Sequence, residues 1–362
     1  MKILNIKKYN NNYFKRILKI IIFFVFIFFN LYSHYNHKKK IGVIGLAHSN
    51  NIGNNLLKYA IFIKLSQLGF DPYIIGMKFK GNDISLLKQY TKVKIINNNF
   101  TEIKENEYDI LLVNSDQTWR KWNNYFYDIA FLKFSQNWNI PKIVYGASLG
   151  VDNWRFTKED ENIAKFLLKN FTGISVREIG SIKFIKQHLG INTIFVLDPT
   201  FLIDKKYYLN LIKDFKNDVI IDKTIIFVYS VTNSNILKNY LKTIGKKNKI
   251  YFINTKVKNQ IKKFIYGIYN CKAVITDSFH GTVFSIIFNK PFISFVYKTR
   301  GNERFNTLIE LFNINNRIFA YNSIPNLELL ETPLNISKNH LKKLKKNSIN
   351  FLKRNLYKYK YY

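Results

Sequence analysis

Residues Ala273 to Phe295 read AVITDSFHGTVFSIIFNKPFISF. An apolar strand runs into Thr276, Asp277 and Ser278, which are turn and N-cap residue types. Phe279, His280 and Gly281 occupy the turn. The helix that follows has no polar face beyond Thr282 and Ser285, so it must be buried. The first amides of such a helix, together with its dipole, make a site for an anion such as phosphate. Gly281 lets a ligand approach the backbone closely. His280 is placed to bind that anion or to move a proton. The plain alternative is a capping turn with a structural histidine.

Other chemistry-bearing residues fall at comparable positions. Arg177 ends the strand-like run GISV and precedes a helix, where a guanidinium suits bidentate recognition of carboxylate or phosphate. A surface ion pair with Glu178 is the alternative. Lys298, Arg300 and Arg304 follow the strand after the His280 helix, either near the same rim or on a solvated basic loop. Asn114, Ser115, Asp116, Gln117 and Trp119 follow the run 109–113. Polar groups beside an aromatic ring suit a sugar, and equally describe an ordinary loop. Tyr145, Ala147, Ser148 and Gly150 end another strand at the same level, and His48 and Asn51 lie in the first loop. Gly42, Gly45 and Gly53 lack the dinucleotide-binding spacing, and no H-E-x-x-H, Walker-type or G-x-S-x-G motif occurs. The single cysteine, Cys271, excludes an internal disulfide framework and any cysteine-built metal cluster, and its setting predicts a core position.

The elements that must position these residues alternate. Strands are predicted at 41–44, 73–76, 109–113, 142–145, 173–176 and 193–197. Helices are predicted at 56–68 and 178–189, ended by Gly69 and Gly190. A second series has strands at 224–229, 250–253, 273–275 and 291–296. Its helices are predicted at 235–244, 260–269 and 281–288. Strand–helix alternation implies parallel sheets covered on both faces. Two such series predict an α/β chain of two Rossmann-like domains facing a central cleft, over 41–200 and 201–335. A basic helix or tail follows at 336–362. Ligands in such sheets bind beyond the carboxyl ends of the strands.

Residues 1–40 stand apart. Ile17 to Ser33 read ILKIIIFFVFIFFNLYS, with an unbroken apolar run from Ile20 to Phe29. With Lys19 snorkelling, the segment reaches the lower limit for a membrane span. A cleaved signal peptide and a buried helix are the alternatives. The missing small residues argue against the first and the missing polar face against the second. A single-pass N-terminal anchor is therefore expected. The greater number of Lys and Arg before the run favours a cytoplasmic N-terminus.

The whole chain of 362 residues has 57 Lys or Arg against 23 Asp or Glu, a net charge of +34. With 47% hydrophobic residues, this is no disordered chain. Lys, Asn, Ile, Phe and Tyr crowd every region, so most of the charge reads as compositional bias. No zinc finger, aromatic-interleaved RNA-binding strand or basic heptad is present, so nucleic acid is not an expected partner. Anionic substrates or lipids suit the charge better.

The segments VNSDQTW, KIVYGASLG, GISVREIGS, FVLDPTFLI and VITDSFHGTVFSIIFNKPFI, in this order and spacing, resemble the polysaccharide pyruvyl transferases over most of Lys40 to Arg317. The resemblance implies a two-domain fold similar to GT-B glycosyltransferases. It implies transfer of the pyruvyl group of phosphoenolpyruvate onto two hydroxyls of a glycan, giving a cyclic ketal. Arg177 and His280 would hold phosphoenolpyruvate with Ser278, Gly281 and Thr282, assisted by Lys298 or Arg300. His280 would be the general acid. Asn114, Ser115, Asp116, Gln117, Trp119 and Ser148 would face the acceptor. No metal or cofactor is implied beyond phosphoenolpyruvate as co-substrate. Three differences from the family pattern fall on the acceptor side. Asn114 replaces the usual glycine, Arg120 follows Trp119 in place of Asn-Pro, and the first loop, SNNIGNN, lacks its tyrosine.

Overall fold

The computed structural model describes residues 18, 21–22, 38–46, 51–77, 85–97, 99–121, 125–216, 218–232, 235–245, 248–253, 260–297 and 301–360. The expected anchor at 17–33 lies outside them except for Leu18, Ile21 and Ile22, and His48, Lys298 and Arg300 also lie outside. Among the described residues, no helix is long and apolar enough to cross a membrane.

The first series runs β1 (Lys40–Ile44), α1 (Ile52–Gln67), β2 (Asp71–Met77), α2 (Ser85–Tyr90), β3 (Val93–Ile96) and β4 (Ile110–Val113). It continues with α3 (Phe126–Phe131), β5 (Lys142–Ala147), α4 (Lys158–Leu168), β6 (Phe171–Val176), α5 (Ile179–Leu189), β7 (Ile194–Phe195) and α6 (Lys205–Asn210). The second comprises β8 (Ile225–Tyr229), α7 (Asn235–Gly245), β9 (Lys249–Ile253), α8 (Gln260–Asn270), β10 (Ala273–Thr276), α9 (Phe279–Ile287) and β11 (Phe292–Val296). Then follow α10 (Glu303–Phe312), β12 (Ile318–Ala320) and α11 (Lys338–Leu356).

The strands form two sheets, with orders β3-β2-β1-β4-β5-β6-β7 and β12-β11-β10-β8-β9. All the strand pairs are parallel. This is the mixed α/β architecture that the alternation predicts. Strand order reverses between β1 and β4 in one sheet and between β8 and β10 in the other. Such reversals splay the connecting loops apart and open a crevice at the carboxyl ends. Asp116 follows β4 and His280 follows β10, so both reversal points carry candidate residues.

Local sequence explains the details that matter. Helix α1 begins a turn earlier than its apolar periodicity suggests, because the Asn51 side chain accepts the Asn54 amide at 2.9 Å and caps it. Gly190 closes α5 in the left-handed region at φ 73°, as expected. Ile52, Leu56 and Tyr59 of α1 pack in one core with Phe264, Val283 and Phe284 of the second series. Helix α1 therefore stands between the sheets, and its burial outweighs the poor helix propensity of its first turn. Helix α11 returns to the first sheet and buries Phe351, Leu352 and Leu356 beside Ile41, Leu112 and Tyr145.

Candidate functional site

Arg177 leaves β6 where the β5–β6 ladder breaks register. Gly146 takes φ 62° there, a conformation that glycine adopts without steric cost. The Arg177 amide donates to Ala147 O at 3.2 Å. Its side chain is 1% exposed and pairs with three acids. Nη1 donates to Asp198 Oδ2 at 2.9 Å and Nη2 to Asp116 Oδ1 at 3.3 Å. Nε stands 3.5 Å from Glu178 Oε1. The guanidinium also lies 5.0 Å from the Phe279 ring centroid, a cation–π distance, and Arg304 lies 5.5 Å from the same ring.

Asp116 sits at φ 102°, a strained backbone for a non-glycine residue. Its Oδ1 accepts the Gln117 amide at 2.9 Å and its Oδ2 accepts Asn54 Nδ2 at 3.1 Å. Burial alone would raise this carboxyl. The charges of Arg177 and His280 and the Asn54 and Gln117 bonds overcome that and hold it below the usual carboxylate range. Asp198 follows β7 and accepts from the Thr200 amide and hydroxyl at 3.0 and 2.6 Å. It too is pushed up by burial but held well below the usual range by His280, Arg177 and Thr200. Glu178 differs, because there burial prevails over Arg177, Ser148 and Arg304 and raises it.

His280 lies in the first turn of α9, whose cap Ser278 accepts the Gly281 amide at 3.4 Å. Its Nε2 stands 3.6 Å from Asp198 Oδ2, an ion-pair separation beyond hydrogen-bond reach. The other side of the ring packs on Gly53 of α1, where any Cβ would collide with the imidazole. One helix thus supplies Gly53 against His280, Asn54 against Asp116 and, one turn on, Lys58. Lys58 is 1% exposed, its stem beside Gly45. Burial pushes its ammonium down to about 7, against the opposing charge of Asp116.

The structure brings His280, Arg177 and Asp116 together and sets Ser278 at the same turn. Gly281 is forced by packing, since a Cβ there would strike Thr276. Thr282 Oγ1 lies 2.7 Å from Ser294 Oγ, inside the second sheet. Ser115 donates to Gly146 O at 2.7 Å, and the Ser148 amide donates to Asp116 O at 3.0 Å, so both knit strand ends together. Asn114 is buried, its amide bonded to Ile44 O at 2.7 Å. Gln117 is buried and accepts from Arg120 at 3.3 Å. Trp119 is not brought to the site. It is 1% exposed, donates its indole N–H to Ala130 O at 3.1 Å and packs edge-on against Phe131. Cys271 is buried, as expected. Asn54, Lys58 and Asp198 escaped the sequence reading as site residues. The available signals were a lysine inside the apolar run of α1 and an Asp-Pro directly after the strand that follows Arg177.

Chemically, a histidine set against an ionised carboxylate can carry a proton, with the carboxylate stabilising its charged form. The buried arginine holds two ionised carboxylates together.

The arrangement of two parallel sheets is that of GT-B-like proteins. It matches UDP-GlcNAc 2-epimerase from Methanocaldococcus jannaschii with a TM-score of 0.54 and 15% identity, over 87% of this chain and 99% of that one. It matches S. aureus MnaA, solved with UDP, with a TM-score of 0.52 and 12% identity over 90% of each chain. No curated protein sequence matches the chain. The sequence model for polysaccharide pyruvyl transferases matches residues 51–299, more than half of the chain. The chain belongs to that family, and the family is one of transferases.

Proposed function

We propose that the protein transfers the pyruvyl group of phosphoenolpyruvate onto two hydroxyls of a glycan, forming a cyclic ketal and phosphate. The observation that carries this reading is the meeting of His280 with Asp198, Arg177 and Asp116 where the two sheets present their reversal points. In this reading the sheets belong to two Rossmann-like domains, at 41–200 and 201–335, and the N-terminal 40 residues anchor the chain to a membrane.

The donor is an anion with a carboxylate and a phosphate, and it suits the amides at the start of α9 together with Arg177. His280 protonates the methylene carbon, so that C3 becomes a methyl group and C2 an oxocarbenium-like centre. A first glycan hydroxyl adds to C2 and gives up its proton, replacing the one consumed at C3. A second hydroxyl then displaces the phosphate, which leaves with that hydroxyl's proton. Asp198, whose Oδ2 lies 3.6 Å from Nε2, orients the ring before the first step. Lys298 and Arg300 would assist at the phosphate, and residues 114–117 and Ser148 border the acceptor side.

A second reading, a glycosyltransferase with a nucleotide-sugar donor, draws on the fold likeness to proteins that act on or bind UDP compounds. Fold alone does not carry function. The full chain is incubated with phosphoenolpyruvate and a panel of glycans, and phosphate release and ketal methyl signals are followed by NMR. Ketal formation without any nucleotide sugar supports the first reading. Turnover only with a nucleotide sugar overturns it, and glycan binding without turnover favours a non-catalytic binding protein.

A further inference from the structure

The net charge is unevenly spread. Residues 1–40 hold nine Lys or Arg and no acid, and residues 338–360 hold nine more and no acid. These 63 residues therefore carry +18 of the +34, and compositional bias across the chain does not account for that concentration.

Helix α11 has its inner face occupied. Phe351, Leu352 and Leu356 are buried against the first sheet, and Ser348 Oγ accepts the Leu197 amide at 2.9 Å. Its outer face is basic, with Lys342, Lys343, Lys346, Lys353 and Arg354 exposed. The patch extends onto α1. Burial depresses the Lys64 ammonium, the charge of Asp204 opposes this, and the smaller like charges of Lys345 and Lys353 add to the depression, so these three lysines share one neighbourhood. Crowded lysines of this kind are relieved by an external anion.

The position of the patch narrows the partner. Lys360 Nζ donates to Leu68 O at 3.2 Å, and the Asp71 amide donates to Lys39 O at 2.9 Å. The C-terminal end of α11 therefore abuts the corner where the chain enters β1. The chain enters that corner from residues 1–37, whose sequence includes the apolar run Ile20–Phe29. The opposite end of β1 leads to α1 and the Asp116–His280 site. A basic surface at the corner entered by a chain segment of apolar sequence fits lipid headgroups better than a soluble polyanion.

We propose that the outer face of α11, with Lys64, is a docking surface for anionic phospholipid headgroups, and that it seats the side of the first sheet where the chain enters β1 on a bilayer. The inference is independent of the reaction assigned to the site. A cluster of four to eight Lys or Arg beside a bilayer is held by the surface potential of anionic lipid, and salt weakens the attraction.

The test is flotation of the full chain with vesicles of phosphatidylcholine alone or of phosphatidylcholine mixed with phosphatidylglycerol. Because the apolar N-terminal segment can enter either vesicle, the readout is the difference between the two. Each basic residue strengthens partitioning onto anionic lipid by roughly fivefold. The variant Lys346→Glu/Lys353→Glu/Arg354→Glu should therefore lower binding to anionic vesicles by at least about 100-fold and leave binding to neutral vesicles unchanged. The corresponding Gln variant, which removes charge without reversing it, should fall between the two, with an unfolding midpoint close to the parent's. Equal binding of the parent to both vesicle types overturns the proposal. So does a charge-reversed variant that binds anionic vesicles as the parent does, or a loss of heparin binding with no change on vesicles.

Discussion

The two sheets bring unlike chemistry to the place where their carboxyl ends meet. The first sheet and α1 contribute side-chain charge: Arg177 paired with Asp116, Glu178 and Asp198, and the buried Lys58. The second contributes one titratable ring, His280, on a helix start that is otherwise apolar or hydroxylic. On the first side, the charges stabilise one another, so removing one disturbs fold and site together. On the second, the ring packs on Gly53 and stands 3.6 Å from Asp198 without a hydrogen bond at Nε2, so removing it should leave the fold intact. The comparison teaches that His280, the group proposed to move the proton, is separable from the charged scaffold around it.

The harshest way to break this contrast is Arg177→Met. Asp116, Asp198 and Glu178 would lose the cation that they share. Breaking a buried ion pair from one side costs about 3–5 kcal/mol. Phosphoenolpyruvate-dependent phosphate release should fall by at least about 100-fold, and the unfolding midpoint should drop. The pH dependence should also weaken. In the parent, Asp116 and Asp198 have lowered carboxyls in the folded state, so their contribution is present above the unfolded value and is lost as acid protonates them. In the variant Asp116 loses its largest opposing charge, so burial should raise its folded value, while His280 and Thr200 still hold Asp198 down; the acid loss of stability should shrink. Urea unfolding at several pH values checks this; a parent-like slope would show that Arg177 is not the group holding the carboxylates ionised.

His280→Gln sharpens the other half. Loss of a positioned acid costs at least about 100-fold in turnover. The unfolding midpoint should move by no more than a few degrees, since no described hydrogen bond uses Nε2. Full activity would remove His280 from the proton-transfer step, and a collapse of stability would make it a structural histidine.

The two halves were also unequally legible. The His280 turn stands out because a wholly apolar helix must be buried and its Ser-Phe-His-Gly start must face something. Arg177 stands out because it ends a short strand before a helix. Asp198 hides in an Asp-Pro that reads as a turn, and only the folded chain brings it to the arginine 21 positions away. Lys58 hides because lysine is everywhere in this composition, so one more inside an apolar run carries little signal. The start of α1 is hidden because Gly53, Asn54 and Asn55 are loop formers, and their burial between the sheets is tertiary. Trp119 suggested a stacking surface, but Ala130 and Phe131, which cover it, come from a helix that local patterning did not reveal.

Gly53→Ala probes the contact between the halves. The added methyl would meet the His280 imidazole, the far end of a short side chain with little room to move. Overpacking of this kind costs about 1–3 kcal/mol. The ring would be pushed from Asp198, so turnover should fall about tenfold or more, with a smaller loss of stability than in Arg177→Met. Pairing it with His280→Gln decides the cause. If the methyl acts only through the ring, it should add little to the activity loss of the histidine variant. Additive losses would show that Gly53 is needed for another reason, such as the geometry of the Asn54–Asp116 bond.

The smallest effect at neutral pH is expected from Lys58→Met, and it is the most specific in form. The folded ammonium is lowered to about 7 from an ordinary value of 10.5. Between these values the unfolded chain binds the proton more readily than the folded one. The parent should therefore become more stable as pH rises from about 7 to 10, with the full cost of burying the charge present below that window. Methionine fills the same volume without the charge, so its variant should lose this slope while keeping the acid limb set by Asp116 and Asp198. Unfolding free energies of both proteins across pH 6 to 10 measure the difference directly. A parallel slope in the variant would mean that Lys58 keeps its proton through the Asp116 charge, and that the two form a buried ion pair joining α1 to the site.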